Sequence, residues 1–400
     1  MREEYDVIVV GGGPGGSIAA RTAAADCDVL LIEKRQEIGA PVRCGEGAPK
    51  DQLLKASKYI QLNKKWIASE INGIRINAPD GTMFEITQEM FGQLTGTEGP
   101  IGYTLDRKIF DRQLAMDAAR AGVDIMVRTR ATGLIVEDGT VKGVKLNRLG
   151  EDFEVRSKVV IGADGVESQV GRWGGINTTL KLKDIGSCAQ YYLENVDITK
   201  NLWDFYIGSE IPGGYAWIFP KGGRAANVGL GVIGSKLAAK RPIDYLNEFV
   251  AKKCPGGQPV ELVMGGAPLS DGLKTLVSNG LMLIGDAARH TEPITGSGIP
   301  SAIRDGTIAG EVAQKAVHQN DSSVRVLREY ETRWHNSFGR IHWGMYKMKE
   351  FMVKLSDDEL NRMSRVFQGM MPEELSIRGV TMRLLKKDPK LLLTIRHLLF

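Results

Sequence analysis

The sequence is poor in cysteine and in long apolar runs. Its four cysteines, Cys27, Cys44, Cys188 and Cys254, are scattered through 400 residues. None forms a Cys-x-x-Cys pair, so a thiolate metal site is not expected. No window reaches the roughly 18 apolar residues that a transmembrane helix needs. The chain opens with charges and a short strand rather than the basic and apolar regions of a secretory signal. Together these absences predict a cytoplasmic protein with reduced thiols, able to meet a membrane only peripherally, at its cytoplasmic face. There is no internal repeat and no low-complexity tract. A formal net charge of +4 is too small to argue for nucleic acid as a partner. What remains is an ordinary globular composition, 42% hydrophobic and 25% charged. The length accommodates two or three domains. The 48 glycines cluster in a few loops.

The first cluster carries chemistry. Tyr5-Asp6-Val7-Ile8-Val9-Val10 is a β-branched run that reads as a buried parallel strand. Gly11-Gly12-Gly13-Pro14-Gly15-Gly16 follows at once, and a small, alanine-rich helical stretch runs from Ser17 to Ala25. Val29-Leu30-Leu31-Ile32 is a second strand, ending in Glu33 and Lys34. Glu33 lies 22 positions after Gly11 (33 − 11). In such a βαβ unit Gly11 allows the tight turn, Gly13 lets backbone approach a pyrophosphate, and Gly16 lets helix and strand pack closely; Gly15 and Lys34 join the expected cofactor-binding set. The helix N-terminus offers free N–H groups to phosphate, and Glu33 can accept from ribose hydroxyls. Strand, turn, helix, strand and acid all fall in order, so the segment predicts a dinucleotide site. By itself it does not choose between FAD and NAD.

A second match, Gly229-Leu230-Gly231-Val232-Ile233-Gly234, is a decoy. Glu248 lies 19 residues on (248 − 229), but Tyr245-Leu246-Asn247-Glu248-Phe249 has helical apolar spacing. Residues 214–233 read as an antiparallel hairpin with a turn at Lys221-Gly222-Gly223.

Two later segments favour FAD. Val159 to Ser168 is a buried strand entering the Asp164-Gly165 turn, and Leu281 to Ala288 is another ending in Gly285-Asp286. Pro293, Gly296, Ser297 and Gly298 come next, before a helical stretch from Ile299 to about Val317. In this ordered set the chain resembles the flavoprotein superfamily of p-hydroxybenzoate hydroxylase type over most of residues 5–320. The resemblance implies an α/β fold: a Rossmann-like FAD-binding domain, an inserted, mainly antiparallel β-sheet domain for substrate, and a helical C-terminal region. It implies that Asp286 bonds the ribitol chain and that Gly298 and Ile299 lie by the flavin ring. It places Asp164 and Gly165 near the pyrophosphate, Arg107 near the phosphates and ribityl chain, and the Ala131 backbone at adenine. The expected boundaries are 1–70, 102–175 and 268–320 for the FAD domain, 71–101 and 176–267 for the substrate sheet, and 321–400 for the helical region.

The branch is indicated by Pro41-Val42-Arg43-Cys44-Gly45-Glu46-Gly47 and by Tyr215-x-Trp217-x-Phe219-Pro220 with Gly229 and Gly231 behind it. Together they resemble the geranylgeranyl reductase family. That resemblance implies flavin-dependent saturation of carbon–carbon double bonds in the geranylgeranyl chains of archaeal-type ether phospholipids. It places Cys44, Gly45 and Gly47 beside the flavin. On alternation alone, Tyr215, Trp217 and Phe219 share one strand face, either a wall for a long apolar chain or a plain core stripe. A lone Cys44 is either a small buried hydrophobe or, with Arg43 beside it, a thiol of lowered pKa and a candidate proton donor. Two departures stand out. Hydroxylases of the superfamily often read Gly-Asp-Ala-Ala-His, where Arg289 here precedes His290, and relatives often carry Glu where this chain has Ser297. An aromatic hydroxylase using NAD(P)H and a flavin-carrying lipid-binding protein without turnover are the rival readings. A halogenase is disfavoured by the lack of a Trp-x-Trp-x-Ile motif. The electron donor, ferredoxin or NAD(P)H, is left open.

Past residue 320 the character turns helical. Val324, Leu327, Tyr330, Trp334, Phe338 and Ile341 predict one long helix over 324–353, and 357–371 predicts another. From Arg378 to Phe400 there are six Lys/Arg and one Asp, with Leu391, Leu392, Ile395, Leu398 and Leu399 on one face. This end reads either as a basic amphipathic helix on an anionic lipid surface or as a helix packed on the domain.

Overall fold

The computed structural model describes residues 2–96, 98–370, 374, 382, 383 and 386–388. The basic amphipathic end at 389–400 therefore lies outside the described residues.

Glu4–Val10 is the centre of an eight-stranded sheet. Val7, Ile8 and Val9 have no exposed surface, as expected of a strand covered on both faces. It pairs in parallel with Val29–Ile32 on one side and with Glu151–Gly162 on the other. Asp124–Met126 and Leu281–Leu283 extend the parallel set outward. Thr129–Glu137 and Thr140–Arg148 form an antiparallel hairpin against Glu151–Gly162.

The first helix, Pro14–Ala23, crosses the long helix Ile299–His318 almost backbone to backbone. A Cβ on Gly306 would lie 2.3 Å from the Gly15 carbonyl oxygen, so only glycine permits this crossing. The N-terminus of the phosphate-type turn and the N-terminus of the Ile299 helix are thereby brought together.

A seven-stranded sheet stands over this unit in the order 258–268, 185–194, 226–233, 215–220, 202–207, 73–77, 83–87. All its pairs are antiparallel except Leu202–Ile207 with Gly73–Asn77. The hairpin Tyr215–Pro220 with Ala226–Ile233 is as the sequence predicts, and Glu248 lies in the helix Pro242–Lys253. Pro242 starts that helix, because its missing N–H is harmless at the first turn. A three-stranded sheet of Gly47–Pro49, Gly102–Leu105 and Ile67–Ile71 links the two larger ones.

The predicted single helix over 324–353 is not a regular α-helix. Val324–Trp334 and Arg340–Met352 are α-helical, and a π-helical turn, His335–Gly339, joins them. At about 100° per residue, Trp334 and His342 would face about 80° apart in an unbroken α-helix. The extra residue of the π turn removes most of that offset. Both rings are buried, with centroids 5.8 Å apart. The same slip rotates Ile341, expected on the apolar face, out to 53% exposure.

Burial pushes the His342 imidazole down to about 4, so it is neutral in the native protein at pH 7. The unfolded chain takes up a proton near pH 6.5, before the folded one does. Stability from this site is complete above pH 6.5 and is lost as pH falls toward 4, by up to about 3 kcal/mol. Urea unfolding across pH 4–7 should show that slope, and His342→Gln should flatten it.

Candidate functional site

Between the two large sheets lies a cavity of about 960 Å³. Every residue expected to face cofactor or substrate lines it: Gly11, Gly13, Gly15, Gly16, Glu33, Lys34, Cys44, Gly45, Gly47, Arg107, Ala131, Asp164, Gly165, Asp286, Gly298, Ile299, Tyr215, Trp217 and Phe219.

At one end is the glycine turn. Gly11 has φ +114, and a Cβ there would lie 2.3 Å from the Ala163 carbonyl oxygen. A Cβ on Gly13 would meet nothing within 4 Å, so its backbone is open to a visitor. The helix behind it begins at Pro14 with no side-chain cap and no acid in its first turn. Its free N–H groups are thus available to an anion. Glu33 accepts from the backbone N–H of Gly12 at 3.0 Å and of Arg35 at 2.9 Å. Thr129 N–H donates to the Glu33 carbonyl at 2.9 Å, which sets the strand bearing Ala131 beside the acid. Asp164 takes the Val170 N–H on Oδ2 at 3.0 Å, while its buried Oδ1 has no partner, and burial raises its pKa. Lys34 pairs with Glu167 across this end at 2.7 Å.

In mid-cavity, Asp286 sits on the tight turn Gly285–Ala288 and accepts from the Thr291 hydroxyl at 2.5 Å. Burial raises its pKa too. Asp305 anchors this turn, taking Gly285 N–H at 2.9 Å and bonding His290 Nδ1 at 2.7 Å. Arg289, the departure noted in the motif, takes a left-handed φ of +63 and reaches the Thr179 carbonyl. His290 turns back into the core and stacks on Trp334 at 3.8 Å. The helix at Ile299 also starts without a side-chain cap, and the buried Ser297 hydroxyl beside it has no partner. Glu292, not residue 297, is the local acid, and it is tied to the N–H groups of Ile294 and Thr295.

The segment around Cys44 differs from expectation in its electrostatics. Arg43 does not activate the thiol; its half-exposed guanidinium leans toward Glu167, 3.8 Å away. Burial raises the Cys44 pKa, opposed by the buried Arg107, which is itself paired with Asp111 at 2.6 Å. Cys44 is therefore a protonated thiol at neutral pH.

Four residues that the sequence reading passed over hold this segment. The buried Glu46 accepts from Lys221 Nζ at 2.8 Å, Asn227 Nδ2 at 2.6 Å and the Arg107 N–H at 2.8 Å. Gln190 donates to the Cys44 carbonyl at 3.0 Å and accepts from the Trp217 indole at 2.8 Å. Glu46 and Lys221 stood inside the two motifs, and a charge within each apolar or glycine-rich run was the available signal.

Tyr215, Trp217 and Phe219 form a wall with Trp203 and Phe205; the Phe205 ring is 5.4 Å from Tyr215 and 5.3 Å from Phe219. The decoy glycines serve this wall. A Cβ on Gly229 would lie 2.4 Å from the Trp217 ring. Gly45 and Gly47 likewise give room to Phe219. Beyond the wall the lining is aliphatic, with Ile74, Ile76 and Ile86 from the sheet and Met352, Val353 and Leu360 from the C-terminal helices.

An open glycine cradle, two uncapped helix ends and an orphaned Asp164 oxygen fit an elongated molecule carrying phosphates and hydroxyls, as FAD does. Residues 6–208 match the FAD-dependent oxidoreductase family, and residues 184–267 match the geranylgeranyl reductase catalytic domain. The chain is 48% identical to the digeranylgeranylglycerophospholipid reductase of Methanosarcina mazei, over 100% of this chain and 97% of the relative. The chain belongs to the geranylgeranyl reductase family. The enzyme of the same name from Methanocella arvoryzae is 48% identical over 98% of each chain. A geranylgeranyl bacteriochlorophyll reductase-like protein from Thermoplasma acidophilum superposes with a TM-score of 0.91 at 39% identity, covering 100% of both chains. The myxobacterial chondrochloren halogenase shares the fold at 18% identity, with a TM-score of 0.69 over 96% of each chain. The family and fold expected from the motifs are those found, and the cofactor of this fold is FAD.

Two outcomes follow for the site. Lys221→Met strands the Glu46 carboxylate in the interior and should cost about 3–5 kcal/mol in urea unfolding, with Glu46→Gln milder. Alkylation of Cys44 by iodoacetamide should be slow at pH 8 and rise only at a pH above that of free cysteine, followed by peptide mass.

Proposed function

We propose that this member of the family saturates the double bonds of geranylgeranyl chains on an archaeal-type ether phospholipid. One observation carries the reading: a single cavity joins the phosphate-type cradle to an aromatic and aliphatic lining of the kind an isoprenoid chain requires. The homologues' names point to the same substrate class.

Reduced FAD, when bound, supplies the hydride equivalent that an isolated alkene must receive together with a proton. The chain's own residues do the rest. Gly11 to Gly16 and the Pro14 helix end hold the pyrophosphate, Glu33 the ribose, Asp286 the ribitol, with Arg107, Asp164 and Gly165 along the phosphate path. The Ile299 helix end stabilises negative charge at the ring. Trp217 and Phe219 hold the chain flat in a slot that excludes water, so orientation rather than activation of the alkene lowers the barrier. Cys44 keeps its proton on Sγ at neutral pH and is the proposed donor. Electrons come from outside, from ferredoxin or from transiently docked NAD(P)H. Gly229 and Gly231 lie in a hairpin strand, so the 229–234 glycines form no strand-to-helix nucleotide turn.

An aromatic hydroxylase would share the fold, but a small phenol has no use for the aliphatic lining beyond the wall. The deciding experiment is anaerobic. Dithionite-reduced holoenzyme mixed with digeranylgeranylglycerophospholipid in detergent should reoxidise, and the lipid should gain two hydrogens per bond saturated. No reoxidation and no mass change would sink the proposal and favour a binding protein. Oxygen uptake with an aromatic substrate would favour the hydroxylase.

A further inference from the structure

The substrate of the proposed reaction is a membrane lipid, yet among the described residues no helix is long and apolar enough to cross a membrane. The 340–352 helix bears on that problem with its two faces. Its inner face buries His342 and Lys349, and its end supplies Met352 and Val353 to the cavity lining. Away from the core it exposes Ile341 at 53% and Met348 at 40% on one flank and Trp343 at 53% on the other. The π turn rotates Ile341 and Met348 outward, whereas Trp343, nine residues after Trp334, would face away from it in an unbroken helix as well.

The exposed charges there have one sign. Arg340 and Lys347, seven residues apart, lie on one side of the helix, and Lys354 follows in the turn just past its end. All three are exposed, and none is ion-paired among the described residues. The acid of this helix, Glu350, seven residues after Trp343, is bound to Lys183 at 2.8 Å and Lys349 at 2.7 Å. Lys347 Nζ sits 5.4 Å from the Trp343 ring centroid. A cationic row flanked by Trp, Ile and Met is the make-up of a helix that lies in the headgroup layer. Trp prefers that depth, and lysine stems reach back to phosphate.

We propose that the outer face of the 340–352 helix docks on an anionic phospholipid bilayer, presenting the cavity end lined by Met352 and Val353 to lipids in that layer. The contact belongs to this helix whatever residues 389–400 do. It rests on the reading that the substrate is a membrane lipid.

The test reads binding without turnover. Full-length holoenzyme is sedimented with extruded phosphatidylglycerol vesicles and, separately, with phosphatidylcholine vesicles. Binding to phosphatidylglycerol should be the stronger, and the Trp343→Ala, Lys347→Glu double variant should weaken it by about tenfold or more. An Arg340→Glu, Lys354→Glu variant, which keeps Trp343, should weaken it similarly. Both variants should reduce detergent-dispersed lipid at the wild-type rate, since they touch neither cofactor nor chain. Three results would overturn the proposal: variants that sediment like the wild type, equal binding to neutral vesicles, or a wild-type mass of two chains that falls to one in the Trp343 variant. The last would make the face a contact between copies. None of the three bears on the anaerobic reoxidation assay, so the two readings fail separately.

Discussion

The Lys221–Glu46 pair is the joint on which the site depends. Both side chains are nearly sealed, at 6% and 7% exposure. Glu46 belongs to the glycine-rich segment beside the glycine turn, and Lys221 to the turn of the antiparallel hairpin. Burying two charges gains little net stability, because desolvation offsets their attraction. What such a pair does well is penalise any other arrangement. With Asn227 and the Arg107 N–H also on Glu46, the segment can sit at only one height against the aromatic wall. Cys44, two residues away, inherits that position, and Gln190 couples it to Trp217.

Glycine then sets how closely the parts approach, and it does so for two different reasons. At Gly11, Gly13 and Gly306 the demand is backbone against backbone, or backbone against an incoming phosphate. At Gly45, Gly47 and Gly229 the demand is room for indole and phenyl rings. The same spacing, Gly-x-Gly-x-x-Gly, therefore serves a tight strand-to-helix turn in one place and an aromatic wall in the other. Context in the chain distinguished them: one lies between a strand and a helix, the other inside a hairpin.

The two faces of the C-terminal helices show how a local irregularity changes a surface. The π turn keeps Trp334 and His342 together on the core, where His290 stacks on Trp334 and Asp305 holds the Asp286 turn. The rotation that serves the core also exposes Ile341. Core packing under the cofactor site and the chemistry of the outer surface are thus coupled through one extra residue in a turn.

Much of this was legible along the chain. The parallel strand, glycine turn, helix and Glu33 are contiguous, so period and turn chemistry expose them. Asp164, Asp286 and the Tyr215–Pro220 strand are short motifs whose order reports the fold and the family. Spatial partners were not legible. Nothing near Cys44 in sequence announces Arg107 or a raised thiol pKa, because desolvation is a property of the packed site. The pairing of Glu46 with Lys221 spans 175 residues. Nor does the pattern over 324–353 reveal a π turn, since apolar periodicity continues through it and only the packing of Trp334 and His342 selects the slip. Local periodicity and turn geometry were set by the sequence alone. Which charges are buried, and against what, was decided by the tertiary structure, because burial energies depend on neighbours that only folding brings within a few ångströms.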